Sequence, residues 1–146
     1  RFKERPPLDS VSNGILFFLV FLIGFSFGGS IYEIPLKIYL VGVCVMGIHS
    51  FSTIMDYSID KMAGHKTFAV VFGKRTAALF ASAVFLLTYF FAKIGSMVIN
   101  FYLNFCILLF FLSFILSSEK LASFIFKLIF VGFILTAVSF LITYPG

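Results

Sequence analysis

Five long stretches of this 146-residue chain carry almost no charge, and that constrains the fold more than any other feature of the sequence. Residues 11–32, 38–55, 76–92 and 94–118 are free of Lys, Arg and Asp and hold no Glu, and 121–144 contains only Lys127, near its start. A bilayer crossing by a helix needs about 20 predominantly apolar residues. The hydropathy is continuous rather than alternating, which excludes the strand pattern of a transmembrane β-barrel. The expectation is an all-α, polytopic transmembrane bundle with five spans at about 11–32, 36–55, 76–92, 96–117 and 122–144. The breaks have local causes. Pro35 cannot donate a hydrogen bond inside a helix, Gly95 follows Lys93, and Ser117-Ser118-Glu119-Lys120 is polar.

Composition agrees. Only 12% of residues are charged and 61% are hydrophobic, with a mean hydropathy of +1.12. Soluble domains carry about a quarter charged residues, so a soluble globular monomer is excluded, and so is a disordered chain. The net charge of +5 reads as basic loops on one membrane face rather than as a nucleic-acid footprint, so no nucleic-acid partner is expected. Cys44 and Cys106 stand alone inside apolar runs, without disulfide or metal spacing. With 23 Phe and no Trp, the six Tyr are the candidate interface anchors. The chain opens on Arg1 without an apolar leader, which leads to the expectation of a fragment or an excised half.

Basic residues set the orientation. Nine of the eleven Lys and Arg fall on one side if five spans alternate, and only Lys37 and Lys93 on the other. The rule of positive cytoplasmic loops then puts the connection 56–75 in the cytoplasm of a multi-pass cell-membrane protein. Gly24 and Gly28 form a GxxxG pair, read as close helix packing within the bundle.

The connection 56–75 holds the chemistry. Asp56 and Asp60 are four residues apart, so on a helix their carboxylates share one face, with Ser52 and His49 extending that face into the membrane. Gly64 is placed to stop the helix through a left-handed conformation. Two acids side by side near hydrocarbon are unfavourable unless a cation offsets them. Hard oxygen ligands suit Mg²⁺, which is commonly shared with substrate phosphates. Lys61, Lys66, Lys74 and Arg75 are candidates for the remaining phosphate charge. The alternative is a solvated helix end whose basic residues serve topology alone. A transporter is a second alternative, though the span centres lack the ionisable groups that transport sites favour.

The segment Asp56-x3-Asp60-x3-Gly64-x2-Thr67, followed by Gly73, resembles the second aspartate-rich motif of the UbiA superfamily of intramembrane prenyltransferases. Arg1-Phe-Lys-Glu-Arg-Pro-Pro-Leu-Asp-Ser-Val-Ser-Asn-Gly14 is similar to that family's segment before its fifth helix. The same wording, with His49-Ser-Phe-Ser, is similar to the lycopene elongase branch of carotenoid biosynthesis. The resemblance implies that the five spans match helices five to nine of nine. It implies Mg²⁺-dependent transfer of a prenyl group from an allylic diphosphate to a lipophilic acceptor within the bilayer, with Asp56 and Asp60 as metal ligands. It also implies Lys3 as a diphosphate contact, and Asn13 as lining the cavity, where His49 and Ser52 are candidates too. The family's first motif, NxxxDxxxD, does not occur in these residues, so the resemblance implies a preceding half that supplies it, without which this chain is half an active site. A non-catalytic, degenerate half-protein is the rival reading. CDP-alcohol phosphotransferases also use DxxxD, but position 52 is Ser where they require Gly, and no Asp-Gly pair occurs upstream.

Overall fold

The computed structural model describes residues 5–143. Seven helices follow one another: α1 (Leu8–Ser26), α2 (Leu36–Ser52), α3 (Tyr57–Met62), α4 (Phe68–Phe72), α5 (Lys74–Phe91), α6 (Met97–Leu116) and α7 (Glu119–Thr143), with a 3₁₀ turn at Ile31–Glu33. Among the described residues α1, α5, α6 and α7 have 18 to 25 residues each and are apolar enough to cross a membrane. The apolar α2 has 17 residues, a length of about 25 Å at 1.5 Å per residue.

Local chemistry sets the boundaries. Pro7 and Pro35 stand just before α1 and α2, where a missing N–H costs nothing. Ser96 caps α6 by accepting from the Ile99 N–H at 3.5 Å. Ser117 closes α6 in the left-handed region, at φ 51°. The first span starts and ends earlier than expected, at Leu8 and Ser26 rather than about 11 and 32. The Phe27 N–H turns back onto the Gly24 carbonyl at 3.4 Å and the Gly29 N–H onto the Phe25 carbonyl at 3.0 Å, closing the helix.

The helix in the second expected span, α2, ends at Ser52, not at about 55. Thr53 Oγ1 donates to the Ser50 carbonyl at 2.6 Å, and Ile54 and Met55 donate to Phe51 and Ser52 at 3.0 and 3.1 Å. These tighter i→i+3 bonds end the α-helix. Residues 56–75 are not a plain loop, since they hold both α3 and α4. Thr53 Oγ1 also accepts the Ala69 N–H at 3.0 Å, pinning the start of α4 to the end of α2.

Successive long helices pack as antiparallel neighbours, α1 on α2, α2 on α5, α5 on α6 and α6 on α7. The starts of α1, α5 and α7 and the ends of α2 and α6 therefore meet at one end, which also carries α3 and α4. At the centre Phe51 and Phe110 are fully buried with rings 4.7 Å apart, and Phe85 meets Phe110 edge-on at 5.1 Å. Phe51 is thus a core residue. A Cβ at Gly47 would collide with Val84 and lie 3.3 Å from Ala81 Cα, so glycine is what lets α2 lie against α5. The expected Gly24–Gly28 packing is not found, because a Cβ at either position meets nothing within 4 Å. Large apolar side chains such as Val20, Leu108 and Leu141 are each 69% exposed, a surface that suits lipid and not water.

Candidate functional site

Asp56 occupies the N-cap position of α3 without a side-chain capping bond, and the Asp60 N–H donates to the Asp56 carbonyl at 2.8 Å. The two carboxylates therefore stand one turn apart on a face of a single short helix. Asp56 is exposed and Asp60 half-buried. Among the described residues neither makes an ion pair or a side-chain hydrogen bond. Gly64 ends this turn at φ +73°. His65 N–H donates to the Asp60 carbonyl at 2.9 Å and Gly64 N–H to the Lys61 carbonyl at 3.3 Å, the paired bonds of a Schellman closure. The spacing Asp-x3-Asp-x3-Gly is thus one capped helical turn that offers two carboxylates and stops.

A clamp holds the turn from outside. Ser58, between the two aspartates, donates Oγ to Glu119 Oε1 at 2.8 Å and its N–H to Oε2 at 3.4 Å. Lys74 Nζ donates to Glu119 Oε1 at 3.3 Å. Glu119 precedes the apolar part of α7, which starts at Leu121. Hydrogen bonds from Ser58, then Lys74, hold its carboxyl below the usual carboxylate range. The Tyr57 ring lies 4.8 Å from Lys74 Nζ and 5.6 Å from Lys61 Nζ. The starts of α5 and α7 thereby fix α3. Of the expected phosphate contacts, Lys61 and Lys66 are exposed on the segment after Asp60, Lys74 is engaged by Glu119, and Lys3 lies outside the described residues.

Carboxylate oxygens are the right donor class for Mg²⁺. Among the described residues no group of three or more His, Cys, Asp or Glu converges, so Asp56 and Asp60 form a two-carboxylate set. That fits a magnesium ion whose other positions are filled by water and phosphate, and not a closed protein cage. Thr67, the last residue of the motif, is buried, and its hydroxyl has no hydrogen-bond partner among the described residues.

Below the motif runs an apolar cavity of about 430 Å³. Its walls come from all five long helices, with Phe17, Cys44, Ile48, Thr88, Tyr102 and Ile129 among them. Along α2 it extends from Val41 to Ile48, about 10 Å of helix, and stops four residues short of the end of α2. Thr88 accepts from Cys44 Sγ at 3.1 Å and donates to the Val84 carbonyl at 2.9 Å, and Tyr102 donates to the Ile129 carbonyl at 3.1 Å. The wall therefore presents few free polar atoms.

Asn13, His49 and Ser52, the residues expected to line a cavity, are not in this wall. Asn13 Nδ2 donates to the Asp9 carbonyl at 2.9 Å. Ser52 Oγ donates to the His49 carbonyl at 2.7 Å. His49 reaches across to α1, with Nδ1 3.2 Å from Ser10 Oγ and Nε2 3.7 Å from Asp9 Oδ2. Asp9, Ser10, Ser58 and Glu119 escape a sequence reading because their partners are 39 to 61 residues away. The one local signal is that Asp9, Asp56, Asp60 and Glu119, four of the chain's six acids, lie at this end.

A family model described as the UbiA prenyltransferase family matches residues 1–117. A lycopene elongase/hydratase of Halobacterium salinarum is 33% identical over 90 residues, 60% of this chain and 32% of that protein. One from Haloferax volcanii is 34% identical over 87 residues, 60% of this chain and 29% of the relative. One from Haloarcula japonica is 36% identical over 74 residues, 51% and 25% of the two chains. The matched region thus spans about a third or less of the length of these relatives. No solved structure matches the chain significantly.

Proposed function

This chain belongs to the UbiA prenyltransferase family, and from that premise we propose that it forms the second-motif half of an intramembrane enzyme that transfers a prenyl group from an allylic diphosphate to a lipophilic polyene such as lycopene. The observation that carries this reading is the capped aspartate turn, with Asp56 and Asp60 unpaired on one face among the described residues, set above an apolar cavity.

Each part has a task. Asp56 and Asp60 would hold Mg²⁺ together with the diphosphate. When bound, the ion neutralises the diphosphate charge as a Lewis acid and so makes it a leaving group. Lys61 and Lys66, with Lys3, pair with phosphate oxygens that the metal leaves uncovered. Glu119 and Lys74 keep the turn in register. The apolar cavity takes a greasy chain and excludes water from the allylic cation, which water would otherwise quench to an alcohol. In this proposal a first acidic motif, of the kind the family resemblance implies, would complete the diphosphate site. The motif end faces the cytoplasm, where its basic residues satisfy the topology rule.

The test is product formation by membranes carrying the protein, supplied with an allylic diphosphate, lycopene and Mg²⁺. Asp56→Ala and Asp60→Ala each abolish the longer carotenoid while the protein stays in the membrane. Unchanged turnover in both variants contradicts the assignment.

A further inference from the structure

The reaction proposed above leaves a proton to be dealt with, and one polar cluster outside the aspartate turn contains a histidine. Ser10 in the first turn of α1 is buried, at 2% exposure. Its Oγ lies 3.2 Å from His49 Nδ1 on the last turn of α2. The other ring nitrogen, Nε2, lies 3.7 Å from Asp9 Oδ2. The side chains of His49 and Asp9 are 27% and 19% exposed, so the imidazole is neither sealed in the core nor loose in solvent. Both ends of the ring are oriented by α1. The Asp9 backbone is itself fixed, since its carbonyl accepts from Ser12 Oγ at 2.8 Å and Asn13 Nδ2 at 2.9 Å. Along α2, His49 directly follows Ile48, the last cavity-wall residue on that helix, and precedes Asp56 by seven residues. Along the α2 axis its backbone lies beyond the end of the chamber, on the side of the acidic turn, and its ring lies outside the chamber wall, turned to α1.

We propose that His49, held between Asp9 and Ser10, is the proton acceptor that ends the prenyl transfer, a role that rests on the function proposed above. The carbon–oxygen bond of the allylic diphosphate breaks, and its electron pair leaves with the diphosphate. The π pair of the acceptor's double bond forms the new carbon–carbon bond, leaving a tertiary cation on the acceptor. In one ending a neighbouring C–H bond breaks. Its electron pair becomes a new double bond and its proton goes to the imidazole. In the other, water adds to the cation through oxygen and gives its extra proton to the same imidazole. Either ending makes His49 an imidazolium, whose positive charge the Asp9 carboxylate stabilises. Ser10 is a positioning residue that sets which ring nitrogen is free of hydrogen.

The experiment uses the full protein in membranes with an allylic diphosphate, lycopene and Mg²⁺, and measures released diphosphate and coupled carotenoid separately. His49→Gln keeps polar contacts to both neighbours but takes up no proton, so a merely structural role survives it. The expected result is diphosphate release within a few-fold of the unsubstituted protein, with the ratio of coupled product to released diphosphate lowered about 100-fold, the usual scale of acid–base catalysis. Asp9→Asn lowers the same ratio to a smaller extent, and added imidazole partly restores it in His49→Ala. An unchanged ratio in His49→Gln, or parallel loss of both readouts that imidazole does not rescue, overturns the assignment. If the unsubstituted protein releases no diphosphate, the prenyl-transfer reading itself has failed, and His49 loses its reaction with it.

Discussion

Gly64 sits at φ +73° with no neighbouring atom where a Cβ would go, so a side chain there meets backbone strain and no collision. Gly64→Ala should cost about 1–2 kcal/mol, the left-handed penalty of an L-residue. Thermal unfolding in detergent checks this, and an unchanged midpoint contradicts the Schellman closure as the reason for that glycine. At the same scale Asp56 and Asp60 are legible from spacing, because i and i+4 identify neighbours on any helical turn. Asp9 is not, since nothing in the local sequence announces a partner some 40 residues on. His49 is legible as a polar group in an apolar run, but not the direction of its ring, which is set by α1.

Contacts between elements decide the next scale. α2 lies against α5 because Gly47 admits Val84 and Ala81. Gly47→Leu should therefore destabilise the bundle by about 1–3 kcal/mol, the usual cost of overpacking. Gly24→Leu, which meets open space, should fall within about 0.5 kcal/mol of the original. Equal effects at the two glycines contradict the packing described. The Glu119 clamp acts differently. A surface ion pair adds only about 0–1 kcal/mol to stability, so Glu119→Gln should leave unfolding nearly unchanged. It should instead raise KM for the allylic diphosphate several-fold, because α3 loses its hold on α5 and α7. The long helices are readable from uncharged runs alone. The break after Ser52 is not, because it depends on Thr53 bonding both Ser50 and Ala69, and the second of those bonds exists only in the folded chain.

For the whole molecule, polar and apolar features separate along the length of the bundle. One end gathers Asp9, Asp56, Asp60 and Glu119 with Lys61, Lys66 and Lys74. The chamber, with aromatic and aliphatic walls, runs from Ile48 toward the far end, where Ile94 of the short 93–96 connection is part of its wall. Orientation can be checked with a membrane-impermeant thiol reagent, since native Cys44 and Cys106 are buried. Lys66→Cys should react only when the cytoplasmic face is open to the reagent, and Lys93→Cys only from the other side. The reverse pattern contradicts the positive-inside assignment. Above all, the account requires that the paired acids of α3 hold an isoprenoid diphosphate through magnesium. The most direct measurement is binding of an unreactive thiolo analogue of an allylic diphosphate to the intact membrane protein, with and without Mg²⁺. The account predicts binding that depends on Mg²⁺ and weakens about tenfold or more in both Asp56→Asn and Asp60→Asn, as expected when a charged ligand partner is removed. Binding of equal strength in chelator, or in both variants, would contradict it.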